Sequence, residues 1–292
     1  MNQYAYKYLE DNNISLEKGK LPIEMLAAKD PEFYDGAYED FAYVLEESLT
    51  AADDSYSLAT GKLVNIVKKI KGSLLGYNDG MEGRIPHSTK TKDSAIRKVY
   101  NDWVSDLENN GYRLNDMKNP KNDSGEYVLV GINENNKGQI FTINRDGFVI
   151  DSDGNVVSNY TFKLEKYIPN DLLRYTIVSD GKNYVSTVAS TLIGLEKQDI
   201  KILKGKFSWP GSFYQGINLT LQIGNQNFEL QIHTNESFYA KDDATHMFYE
   251  IVRNKIFNEG DNRSSIQKNA DYAQALMQMQ VEVPQNELIN NS

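Results

Sequence analysis

In the stretch Phe228-Glu229-Leu230-Gln231-Ile232-His233-Thr234, a carboxylate, an amide and an imidazole recur at every second position. Successive side chains of a β-strand point to opposite faces, so Glu229, Gln231 and His233 would share one face while Phe228, Leu230 and Ile232 lie against a core. Such a row offers groups that hold cations and move protons. The chain then continues through Asn235-Glu236-Ser237-Phe238, where Ser237 can cap a helix running to about Phe257. Along that helix Asp242, His246, Glu250 and Arg253 fall on one face, with Lys241 beside them, while Phe238, Met247, Phe248, Ile251 and Val252 fall mostly on the other. A polar strand face feeding a polar helix face is a common way to build an α/β site. The alternative is a half-buried antiparallel strand whose outer face is simply solvated.

A second group lies upstream. Arg84, Lys90, Lys92, Arg97 and Lys98 cluster where Asp93 or Ser94 can cap a helix carrying Val99, Tyr100, Trp103, Val104 and Leu107. Free backbone N–H groups at a helix start favour anions, so this stretch can seat a polyphosphate; it can equally be a basic loop without a ligand. The loop Gly205 to Tyr214 carries basic and aromatic side chains and can cover a nucleotide, or can be pinned by a buried Trp209.

The elements that must position these residues follow from pattern. The first 80 residues read as helical, with segments at Tyr38–Leu49 and Leu58–Leu75. Tyr127–Val130, Gln139–Ile143, Phe148–Ile150 and Asn155–Val157 are short strand candidates separated by turns such as Asp146-Gly147 and Asp153-Gly154. They predict a small β-meander, with Asp151 to Asn155 as a hairpin turn rather than a calcium loop. Beyond it the order is strand (Leu172–Val178), helix (Asn183–Leu195), strand (Ile200–Leu203), strand (Ile217–Ile223), a turn at Gly224-Asn225, strand (Asn227–Thr234) and helix. Residues 264–279 can form one more helix before a polar end. The expected class is α+β, a mixed and mainly antiparallel sheet flanked by helices.

Composition narrows the chemistry. The 292 residues carry a formal net charge of −10, which argues against coating duplex DNA. The chain has no cysteine, which excludes disulfides and thiolate nucleophiles. Three histidines, His87, His233 and His246, are too scattered for a histidine-built metal centre, so carboxylates would hold any metal, favouring magnesium or manganese. No run approaches the ~20 apolar residues of a membrane span, and the N-terminus lacks a signal-peptide layout. A cytoplasmic protein is expected, including one delivered into another cell's cytoplasm.

Several stretches, in order, resemble the RelA/SpoT-like pyrophosphokinase superfamily, the alarmone synthetases. Ser88-Thr-Lys90-Thr-Lys-Asp-Ser94-Ala-Ile-Arg-Lys98 is similar to the family's basic ATP-binding stretch, R-x-K-x-x-x-S-x-x-x-K. Asp171-Leu-Leu-Arg174 resembles its magnesium-aspartate strand, Tyr214-Gln-Gly-Ile-Asn218 its Y-x-x-x-H segment, and Glu229-Leu-Gln231-Ile-His233-Thr234 its E-x-Q-x-R-T strand. His246 stands as in the A-x-x-H-x-x-Y helix. Ser88, Asn218 and His233 replace an arginine, a histidine and an arginine of the pattern. The chain looks closest to divergent phage or toxin members and lacks the paired histidine-aspartate motif of the hydrolase domain.

The resemblance implies a nucleotidyltransferase-like synthetase fold over 84–257, with a β-rich insert at about 119–163, a helical region at 1–80 and a C-terminal helix and tail at 258–292. It implies transfer of pyrophosphate from ATP to a nucleotide 3′-hydroxyl, giving (p)ppGpp-type or (p)ppApp-type products, in the setting of a growth-inhibiting toxin. Arg84, Lys90, Ser94, Arg97 and Lys98 would bind ATP. Asp171 and Glu229 would hold Mg²⁺, with Glu229 also orienting or deprotonating the hydroxyl. Tyr214, Asn218, Gln231, His233, His246 and Arg253 would serve the acceptor, supported by Arg174 and Lys241. The tRNA 3′ end is an alternative acceptor, an antitoxin or immunity protein a further partner, and a non-catalytic phage or virion-associated module the reading from another class.

Overall fold

A computed structural model describes Ser15 and residues 35–76, 88–116, 119–209 and 214–244. Arg84, His246 and Arg253, the remainder of the helix expected to reach Phe257, and the helix expected at 264–279 lie outside the described residues. The architecture is α+β, with two five-stranded, mainly antiparallel sheets and flanking helices among the described residues. The chain divides into two compact units, Met1–Pro31 with Ser57–Ser88 and Arg174–Ser292, and Glu32–Tyr56 with Thr89–Leu173.

The first helix among the described residues, α1 (Asp35–Val67), runs unbroken where two segments were expected. The intervening residues contain neither glycine nor proline, and Ala52 and Tyr56 are buried, so the apolar stripe continues through them. It also ends earlier than expected, and Ser73–Leu74 instead forms a short strand, β1.

In the second unit, α2 (Lys92–Asn109) is capped by Thr91, not by Asp93 or Ser94. Thr91 has extended dihedrals and accepts from the Ser94 backbone N–H, while Asp93 falls in the first turn and accepts from the Tyr38 hydroxyl at 2.8 Å. The sheet of this unit pairs in sequence order β2 (Tyr112–Leu114), β3 (Tyr127–Gly131), β4 (Ile140–Ile143), β5 (Phe148–Ile150) and β6 (Val156–Thr161); β3 to β6 are the expected four-stranded meander, and β2 is a strand beyond it. Asp151 closes the β5–β6 turn by accepting from the backbone N–H groups of Asp153 and Asn155. Trp103 is buried at the centre of this unit, edge-on to Phe41 and donating Nε1–H to the Phe162 carbonyl at 3.0 Å.

In the first unit, β7 (Arg174–Ser179), β8 (Lys201–Phe207), β9 (Ile217–Ile223) and β10 (Gln226–Thr234) join β1 in the order β1-β7-β10-β9-β8. β7 begins two residues later than expected, which leaves Asp171 on the turn before it. β10 runs parallel to β7 and antiparallel to β9, and Gly224, at φ 55°, makes the two-residue turn between β9 and β10. On one face Phe228, Leu230 and Ile232 are fully buried. Helix α3 (Tyr184–Lys197) lies between strands β7 and β8 in sequence, and its Tyr184 hydroxyl donates to the Ile232 carbonyl at 2.9 Å. No helix among the described residues is long and apolar enough to cross a membrane.

Candidate active site

The other face of the first unit's sheet carries the polar row. Cross-strand partners share a face. Glu229 lies opposite Arg174 on β7 and Thr220 on β9, and Gln231 lies opposite Thr176 and Asn218. This face is not simply solvated: Gln231 is 4% exposed and His233 is completely buried.

Two short networks run through it. In one, Lys241 Nζ donates to Gln231 Oε1 at 2.9 Å, and Gln231 Nε2 donates to Glu229 Oε1 at 2.5 Å. In the other, His233 shares hydrogen bonds with the Tyr214 hydroxyl through Nε2 (2.9 Å) and with Ser237 Oγ through Nδ1 (3.0 Å). Burial, reinforced by the Lys241 charge, pushes the His233 pKa down to about 3, so the imidazole is neutral at physiological pH. Burial pushes the Tyr214 phenol upward, with Glu229 adding to the effect. Lys241 is pulled below the ordinary lysine range by burial and then by Arg174, against the opposing pull of Asp242 and Glu229.

Local geometry explains how these side chains are held. β10 stays extended through Thr234, which caps the short helix α4 (Asn235–Tyr239). Ser237 is therefore the third helical residue and not the cap; the two side chains form a reciprocal capping box, and Ser237 Oγ also meets His233. The chain then passes into a π-helical turn, Ala240–Ala244, which carries Lys241. Gly216 faces the imidazole so closely that a Cβ there would lie 2.6 Å from His233 Cε1. Trp209 is tied down, donating Nε1–H to the Tyr184 hydroxyl at 3.0 Å.

From Lys90 onward the basic stretch belongs to the second unit. Lys90 Nζ lies 2.9 Å from Asp171 Oδ2, and its backbone N–H donates to the Leu172 carbonyl at 2.8 Å. The residue expected on donor phosphate and the one expected on magnesium thus meet each other. Ser94, Arg97 and Lys98 lie at i, i+3 and i+4 on α2, one helical face, with Lys98 3.5 Å from Asp102. Among the described residues, no group of three or more acidic or imidazole side chains is arranged to hold a metal ion.

No protein-family model matches this chain, and no curated protein matches it. Among solved structures it is similar to the smu.1046c protein of Streptococcus mutans, at 15% identity over 37% of this chain and 55% of that one, with a TM-score of 0.25. It is also similar to small alarmone synthetase 1 of Bacillus subtilis bound to its product pppGpp, at 12% identity over 37% and 56% of the two chains, again with a TM-score of 0.25. The matched region spans little more than half the length of either structure.

The fold brings Tyr214, Asn218, Glu229, Gln231, His233, Arg174 and Lys241 into one unit, with Arg174, Asn218, Glu229, Gln231 and His233 on strands of one sheet and Tyr214 and Lys241 on the segments beside it. Sequence reasoning missed Ser237 as a partner of His233, Thr234 as the cap, and Gly216 as the space for the imidazole. The Thr-x-x-Ser spacing was the available signal for the cap; none existed for Gly216. Gln215 Oε1 and Asn218 Oδ1 are buried acceptors without a hydrogen-bond partner among the described residues. Such groups ordinarily find a donor, and a ligand can supply it.

Proposed function

We propose that this chain is an ATP-dependent pyrophosphokinase of the RelA/SpoT-like kind, transferring the β,γ-pyrophosphoryl group of ATP to the 3′-hydroxyl of a nucleotide. The observation that carries the reading is the polar sheet face on which Glu229 stands opposite Arg174 and accepts a hydrogen bond from Gln231. A carboxylate placed among cations can orient and deprotonate a hydroxyl while the cations meet substrate phosphate. The order of the family-like stretches along the chain also supports it.

In this reaction the 3′-oxygen attacks the β-phosphorus, the bond from that phosphorus to the α-phosphate bridging oxygen breaks, and AMP leaves. Glu229 orients the hydroxyl and receives its proton. Arg174 stands next to that carboxylate and offsets charge on the transferred group. Lys90, Ser94, Arg97 and Lys98 are assigned to the ATP phosphates. His233 is locked between Tyr214 and Ser237, so it acts by holding the tyrosine that would stack on the acceptor base. Asn218 offers its unpaired Oδ1 to a donor on the acceptor.

Magnesium suits this donor set, because it prefers oxygen ligands and commonly takes only one or two protein carboxylates, with water and substrate phosphate completing its shell. Glu229 is the carboxylate on the polar face, and Asp171 is the second on the order of the stretches in the chain. When bound, the metal would neutralise charge building on the transferred group.

The test is incubation of the full chain with γ-labelled ATP, Mg²⁺ and, separately, GDP, GTP, AMP, ADP, ATP and deacylated tRNA. Label should enter one nucleotide acceptor and vanish with Glu229→Gln, whose melting temperature should stay within a few degrees of the parent. Label entering only tRNA would move the acceptor to the tRNA 3′ end. No transfer in any tube, together with no nucleotide-dependent thermal shift, would favour a binding module. Growth arrest on expression, relieved by Glu229→Gln, is the expected sign of a toxin and would give an antitoxin or immunity partner its purpose.

A further inference from the structure

Lys241 follows β10 after helix α4, on the π-helical turn, and returns to the polar face through its side chain. Its Nζ donates to Gln231 Oε1 at 2.9 Å and lies 5.4 Å from the centre of the Phe238 ring. An ammonium has donors only, so the Gln231 amide must present its carbonyl oxygen to Lys241. That choice leaves the NH₂ end for Glu229, where Nε2 meets Oε1 at 2.5 Å. Without a lysine at this position the amide could rotate by half a turn and set its carbonyl oxygen against the carboxylate, which would repel it. Gln231 itself is buried, so water does not readily replace the missing donor.

We propose that Lys241 is a positioning residue which, by fixing the orientation of the Gln231 amide, aims the Glu229 carboxylate at the acceptor hydroxyl. The inference rests on the proposed reaction and adds to it a three-member relay, Lys241 to Gln231 to Glu229. Among the described residues, charged groups that act on Lys241 include Arg174, which repels it, and Asp242, which together with Glu229 holds it. In this role Lys241 does not touch substrate. A lysine that instead bound a substrate phosphate would act independently of Gln231, and the two roles separate in a double-mutant cycle.

The experiment compares the full chain with Lys241→Met, Gln231→Leu and the double variant, measuring kcat and KM with labelled ATP. Each single substitution should lower kcat by roughly 10–100-fold while leaving KM for both substrates nearly unchanged, the mark of a mispositioned group. The double variant should be no more than about threefold worse than the poorer single one, since the relay is already broken. Lys241→Arg, which retains donors, should recover part of the loss. Multiplicative effects, or a KM rise confined to Lys241→Met, would overturn the relay. If the parent protein transfers nothing to any acceptor, the proposed reaction fails, and the relay is read by NMR. The Gln231 side-chain amide signals, identified by their loss in Gln231→Leu, should move in Lys241→Met; unmoved signals would sink the inference.

Discussion

His233 is an ionisable group that the fold keeps from ionising. Its ring is completely buried, and both nitrogens are engaged by Tyr214 and Ser237. The unfolded chain would bind a proton at the ordinary value of 6.5, whereas the folded chain resists until about pH 3. Between those values the unfolded state holds more protons, so this residue's contribution is complete above pH 6.5 and is lost as pH falls, by up to roughly 5 kcal/mol. Replacement by Gln removes the titration. Urea unfolding of parent and His233→Gln should therefore show the parent's stability relative to the variant shrinking by roughly 3 kcal/mol between pH 7 and pH 4. A difference that stays constant over that interval would refute the buried neutral imidazole.

At the scale of elements, the β10–α4 junction sets the position of the polar row. Thr234 ends the strand and caps the helix, and its partner Ser237 also holds the imidazole. Thr234→Ala should cost about 1 kcal/mol by urea unfolding through the lost cap. Gly216→Ala meets a different obstacle, because the new methyl would press on a ring fixed at both nitrogens. We expect a loss of roughly 1–3 kcal/mol from overpacking, along with displacement of Tyr214 visible in its fluorescence or NMR signals. Stability within a few tenths of the parent would mean that the ring moves aside at little cost. The edge strand β8 is exposed along its whole length, and its lysines at 201, 204 and 206 discourage pairing with a second chain.

At the scale of the molecule, each of the two units has its own core. In the second, Trp103 joins α2 to the aromatic cluster of Phe41 and Tyr127 and to the Phe162 carbonyl. Removing it leaves a large cavity and an unpaired carbonyl, so Trp103→Ala should cost roughly 3–5 kcal/mol. Hydrogen exchange should rise first at α2 and the β2–β6 meander if the units respond separately; an equal rise throughout the chain would show that they unfold together. The net charge of −10 is spread over a chain whose candidate site nevertheless gathers Arg174 and Lys241 beside Glu229. There Arg174 and Lys241 balance Glu229 and Asp242, so the local charge is near neutral where the chain as a whole is acidic.

The amino-acid sequence by itself determined what depends on neighbours a few residues apart. Period-two alternation put Phe228, Leu230 and Ile232 on a core face with Glu229, Gln231 and His233 opposite, and Asp146-Gly147 and Gly224-Asn225 placed the turns. It missed caps at Thr91 and Thr234 by a few residues, because Ser, Thr and Asp compete for that role and the backbone conformation selects one. Only the tertiary structure decided whether the polar face is wet or buried, since that depends on what the segment around Tyr214 and the turn carrying Lys241 cover. It alone joined Lys241 to Gln231 and Lys90 to Asp171, pairs separated by 10 and by 81 positions. Charge pairing and burial are properties of groups brought together by packing, and no local pattern encodes which of many possible partners the packed chain will supply.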